Sequence, residues 1–105
     1  MKIIEVTYKH ILFSNGWVIT YDHEQDCCET NYADFTALET FAYEYNFKSL
    51  RFERCNGGFR FGDESYMVYV PCYSVQNGYY TTDIDIYLSG ECVLHTSGEF
   101  VDDEM

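Results

Sequence analysis

The opening of the chain alternates strand-like runs with a tight turn. "IIEVTYKHILF" (residues 3–13) and "WVITY" (17–21) are rich in β-branched and aromatic residues, and Asn15 and Gly16 lie between them. Asn-Gly between two such runs is the strongest short-range hairpin signal, because both residues tolerate the positive φ of a type I′ turn. The period then changes. In "ADFTALETFAYEYNF" (33–47), Phe35, Leu38, Phe41, Ala42 and Tyr45 recur every three to four residues, the spacing of one helix face. Asp34 is placed to cap that helix, since its carboxylate can accept a first-turn amide, and Asn46 is placed to stop it.

Beyond residue 48 the pattern is β again. "SLRFERC" (49–55) and "FRFG" (59–62) flank "NGG", which predicts a second hairpin. "YMVYVPCYS" (66–74) and "YYTTDIDIYLS" (79–89) flank "VQNG", which predicts a third, and "ECVLH" (91–95) follows Gly90 and closes the sheet. Ile84, Ile86 and Leu88 share one face of their strand, whereas Thr81, Asp83, Asp85 and Tyr87 share the other, so one face is packed and the other wet. Pro71 lacks an N–H and places its strand at an edge or a bulge. The expected fold is therefore a single α+β domain over residues 1–105. It has an N-terminal β-hairpin, one helix packed on one sheet face, and an antiparallel β-meander. Residues 98–105 form a frayed acidic tail in this reading.

Charge narrows the function. Six basic residues against eighteen acidic ones give a net charge of −12. The bases are Lys2, Lys9, Lys48, Arg51, Arg54 and Arg60, which leaves long stretches with carboxylates alone. Such a surface repels phosphate backbones, excluding direct nucleic-acid binding, and is steered towards basic protein surfaces. A hydrophobic fraction of 47% excludes disorder. No apolar run approaches the length of a membrane span, and "MKIIEVTYKH" lacks the apolar stretch of a secretory signal. Five cysteines, an odd number without a C-x-x-C pair, read as reduced thiols in a cytoplasmic protein.

The densest chemistry lies in "YDHEQDCCETNYADF" (21–35). His23, Asp26, Cys27, Cys28 and Glu29 are all metal-ligating types. Adjacent cysteines, however, point apart and do not readily share one tetrahedral ion, and a calcium-loop pattern is absent. A zinc site using His23 with Cys27 or Cys28 would need a distant partner such as His10, His95 or Cys55. A nucleophilic thiol is opposed by the surrounding carboxylates, which raise thiol pKa values. The bland alternative buries one cysteine as a small hydrophobe and leaves an acidic structural loop. Residues 23–29, "HEQDCCE", following a strand and "NGW", resemble an H-[DE]-Q-D-C-C-E motif. The motif is that of a family of small uncharacterised domains from bacteria, phages and other mobile elements. The resemblance covers about residues 13–35. It implies that His23, Gln25, Asp26, Cys27, Cys28 and Glu29 act as a unit. It also implies a mobile-element origin, which favours host interaction over metabolism, and it carries no activity.

Two further features bear on binding. Asp83 and Asp85 lie on one strand face, about 7 Å apart by strand rise. On an open strand they read as a solvated face, not as an acid–base pair. Tyr66, Tyr69, Tyr73, Tyr79 and Tyr80 crowd around the third expected hairpin, and tyrosine is enriched at interfaces. The sequence thus predicts a small acidic interaction module, in one version an inhibitor that mimics nucleic acid and docks on a basic protein site. Its binding residues would be Asp83, Asp85, Tyr87, Tyr79 and Tyr80. The alternatives are a metal- or thiol-dependent site on the 22–29 loop, for which zinc is the fitting cofactor, and a homodimeric domain without chemistry of its own. Catalysis is not expected.

Overall fold

A computed structural model describes residues 1–22, 30–76, 78 and 81–102, and these described residues form ten strands and two 3-10 turns. The strands are β1 (Ile3–Val6), β2 (His10–Phe13), β3 (Val18–Asp22), β4 (Thr30–Ala33), β5 (Arg51–Cys55), β6 (Gly58–Gly62), β7 (Met67–Gln76), β8 (Asp83–Leu88), β9 (Glu91–Ser97) and β10 (Glu99–Asp102). Sheet 1 has the order β1-β2-β3-β8-β9 and is antiparallel throughout. Sheet 2 runs β10-β7-β6-β5, with β4 also on β7. Its pairings are antiparallel except that β10 runs parallel to β7.

The local signals for two hairpins correspond to real pairings. Strands β2 and β3 enclose Asn15 and Gly16, and β5 and β6 enclose Asn56 and Gly57. The run 3–13 is two strands, β1 and β2, folded back on each other. A further hairpin joins β8 to β9 through Ser89 and Gly90, both at positive φ (50° and 88°), as a two-residue I′-like turn requires.

The expected α+β fold is corrected to an all-β one: no α-helix occurs among the described residues. Asp34 does cap, accepting from the Thr36 amide at 3.2 Å and the Thr36 hydroxyl at 2.7 Å, but the turn it opens ends after Phe35–Ala37. Leu38 and Glu39 are extended before a second 3-10 turn, Thr40–Tyr43. Phe35 and Ala42 are buried, whereas Phe41, placed on the helix face by its spacing, is 52% exposed. A segment this short is marginal as a helix without tertiary support, and β-branched and aromatic residues support it weakly. Here the aromatic rings gain more by packing individually: Phe47 meets Phe13 edge-on at 5.9 Å, and Tyr45 stacks near Tyr66 at 4.8 Å.

The apolar face of sheet 1 is consequently covered by sheet 2. Ile11, Phe13, Ile19, Ile84 and Ile86 from the first meet Phe59, Phe61, Val68, Val70 and Cys72 from the second, all buried. Phe13 and Phe61 make an edge-to-face contact across the layers at 6.1 Å.

The expected hairpin between 66–74 and 79–89 is also corrected, since β7 and β8 belong to different sheets. Buried polar groups hold this crossing. Asn31 donates to the carbonyls of Thr81 (3.0 Å) and Asp83 (3.2 Å). Ser74 donates to Asn31 Oδ1 at 2.5 Å, and Gln76 donates to Ser74 Oγ at 2.6 Å. Buried polar atoms demand such partners, so this set ties β4 and β7 to the segment leading into β8.

Strand β7 is internal, so of the two places its proline allowed, an edge or a bulge, the edge is not the one used. Its first half pairs with β6 and its second half with β4 and β10, which lie on opposite edges because they address the same residues. Pro71 stands where partners change, and its carbonyl accepts the Asp34 amide at 2.8 Å. Residues 99–102, expected to fray, form β10, with Phe100 47% and Val101 38% exposed. No helix among the described residues is long and apolar enough to cross a membrane.

Candidate functional site

The outer face of sheet 1 gathers most of the chemistry. Because strand side chains alternate, turning buried Ile19 and partly buried Tyr21 on β3 towards the core turns Thr20 and Asp22 outward, and burying Ile84 and Ile86 on β8 turns Asp83, Asp85 and Tyr87 outward. Asp22 is the ladder partner of Asp85, and Thr20 that of Tyr87, so these side chains form one continuous patch. Ser97 on β9 donates to Asp83 at 3.3 Å. The Tyr87 phenol is held above its ordinary pKa, first by burial and then by the negative charge of Asp85, Cys92 and Asp22 around it.

Strand β9 adds a cysteine and a histidine to this face through an irregularity. The ladder pairs Asp85 with His95 and Ile86 with Leu94, then skips Val93 and pairs Tyr87 with Cys92. An extra residue of this kind is a β-bulge, which re-aims the side chains around it. In a regular strand, residues three apart face opposite sides. Here Val93 and Leu94 both pack against the core, and Cys92 and His95 are both exposed on the outer face. His95 Nδ1 lies 2.5 Å from Asp85 Oδ1, and its Nε2 lies 4.0 Å from Cys92 Sγ. One ligand atom from each of the three falls within 4.8 Å of the others.

The residues expected from sequence divide into three groups. Asp83, Asp85 and Tyr87 are together on the outer face of sheet 1. The strand bearing Tyr69 and Tyr73 belongs to sheet 2, so those tyrosines are separated from that face; Tyr69 donates to the Asn56 carbonyl at 3.2 Å, and Tyr73 packs on Tyr32. Tyr79, Tyr80, His23, Cys27 and Cys28 lie outside the described residues. Cys92 entered no expected site, and His95 entered only as a remote partner for the 22–29 loop. The C-x-x-H spacing of residues 92–95 was the available signal, masked by the assumption of a regular strand.

Other concave places are small and polar. One cavity of about 300 Å³ lies between the β5–β6 turn and the β9–β10 junction, lined by Asn56, Gly57, Ser97, Gly98 and Glu99. A second, of about 170 Å³, is lined by Lys48, Ser49, Asp63, Glu64 and Ser65. Neither adjoins Cys92; the second gathers Lys48, two serines and Asp63, but the Asp63 carboxylate is committed to the Tyr45 hydroxyl and to the amides of Lys48, Ser65 and Tyr66. Cys72 is buried, and burial pushes its thiol up to about 12, which makes it inert.

No family model, curated protein or solved structure matches this chain.

Proposed function

We propose that this chain is a small binding module that docks the outer face of sheet 1 on a cationic segment of another protein. One observation supports the reading above the rest: Asp22, Asp83 and Asp85 share a face with Tyr87, and strands β3, β8 and β9 contain no Lys or Arg. Of the six bases, Lys2 and Lys9 flank β1 and β2 at the other side of sheet 1, and the remaining four lie elsewhere. Lys48, Arg51, Arg54 and Arg60 lie on or just before the β5–β6 hairpin, where Arg60 pairs with Glu53 at 2.5 Å. Carboxylates in register on neighbouring strands offer a row of negative charge to an arginine- or lysine-rich segment, and Tyr87 adds an aromatic surface for a guanidinium. A row of that kind can occupy a phosphate-binding groove, which is the inhibitor form of the same reading.

A labelled Arg/Lys-rich peptide tests it by fluorescence anisotropy. The expected result is binding that D83N/D85N weakens about tenfold, a loss of about 1.4 kcal/mol. E44Q/E64Q, which removes the same charge from other exposed sites, leaves binding nearly unchanged. Equal weakening by the two variants would show attraction to net charge alone and remove the assigned face.

A further inference from the structure

We propose that Asp85, Cys92 and His95 form a site for a zinc-class divalent cation on the outer face of sheet 1. The inference does not depend on the binding-module reading. It starts from donor chemistry: a thiolate, an imidazole and a carboxylate are the ligand types of zinc and cobalt, whereas calcium and magnesium take oxygen alone. Ligand distances of about 2.0–2.3 Å place the donors of a tetrahedral ion about 3.5 Å apart. The three donor atoms here are within 4.8 Å of one another, so small side-chain rotations close the set. Those rotations are unobstructed, since the His95 side chain is 79% exposed and that of Asp85 37%.

The backbone supplies the second argument. Cys92 and His95 stand three residues apart, a spacing that a flat strand would split between core and solvent. The extra residue Val93 brings both to one face, and the ladder sets His95 directly opposite Asp85. Two neighbouring strands thus deliver three different donors to one point. Three protein ligands leave the fourth position to water, the open arrangement of reactive rather than structural zinc.

The test is a cobalt(II) titration of the reduced full-length chain, followed by the sulfur-to-cobalt charge-transfer band, with zinc competing for the same site. One equivalent of cobalt is expected to give the band. C92S and H95Q each abolish it, and D85N weakens binding at least about tenfold. C27S/C28S keeps it. Because the three side chains are on the exposed face, each variant should retain the wild-type circular dichroism, which separates a lost ligand from a lost fold. A band that survives in C92S, or no band at millimolar cobalt, overturns the assignment.

Discussion

Asp63 shows how much one residue can organise. It is 4% exposed, yet its carboxylate has a full set of donors: the Tyr45 hydroxyl at 2.9 and 3.0 Å, and the amides of Lys48 (3.0 Å), Ser65 (2.9 Å) and Tyr66 (3.1 Å). The Lys48 amide is the largest influence holding its pKa down to about 2; burial opposes it, and the Ser65 amide, the Tyr45 hydroxyl and the Tyr66 amide assist. A carboxyl more acidic folded than unfolded stabilises the fold above its unfolded value of 3.8 and loses that contribution as pH falls towards about 2. The stability of the wild type against urea should therefore fall as pH is lowered over that interval. In D63N, which turns an amide NH₂ towards these donors, stability should be lower at neutral pH and flatter across the same range. Equal slopes in the two proteins would show that Asp63 is not the titrating group.

At the level of elements, what could be read from sequence was whatever is set locally. Asn15 with Gly16, and Asn56 with Gly57, marked their hairpins because turn chemistry is decided within four residues. The alternation of β8 likewise told which of its faces is wet. The helix misled because its period came from Phe35, Leu38, Ala42 and Tyr45, which are wholly or partly buried in an extended and 3-10 path. Alternation also cannot say which sheet a strand joins, so the separation of β7 from β8 was invisible. The pairing of Cys92 with His95 was equally hidden, because the bulge is defined by the neighbouring strand. Close interstrand approach is a further non-local feature. A Cβ on buried Gly58 would lie 2.2 Å from the Val70 carbonyl oxygen and 3.1 Å from Pro71 Cα, both backbone atoms. The Gly58 carbonyl also accepts the buried Thr96 hydroxyl at 2.6 Å, a bond between the two sheets. Gly58→Ala should cost about 1–3 kcal/mol in denaturant unfolding, because the backbone of β7 cannot yield without disturbing both its ladders. An unchanged midpoint would mean that the two sheets have slack at this contact.

For the whole molecule the governing quantity is the net charge of −12 and its uneven placement. Self-repulsion among carboxylates opposes compaction, and salt reduces it by shortening the screening length from about 30 Å at 0.01 M to about 8 Å at 0.15 M. The unfolding midpoint should rise over that range, while capture of a cationic peptide should fall. Opposite signs from one variable separate screening within the fold from screening across an interface. A midpoint that fell with salt would show that attractive pairs, such as Arg60 with Glu53, outweigh the repulsion.

The order of strands in sheet 1 also has a consequence for synthesis. Tyr21 on β3 pairs with Ile86 on β8, so the first three strands have no neighbour on that side until 65 further residues have been made. At about 5–20 residues per second, the ribosome needs about 3–13 s to supply the missing partner. Throughout that interval Ile11, Phe13 and Ile19 belong to a nascent hairpin that cannot yet hide them, within reach of chaperones and other emerging chains.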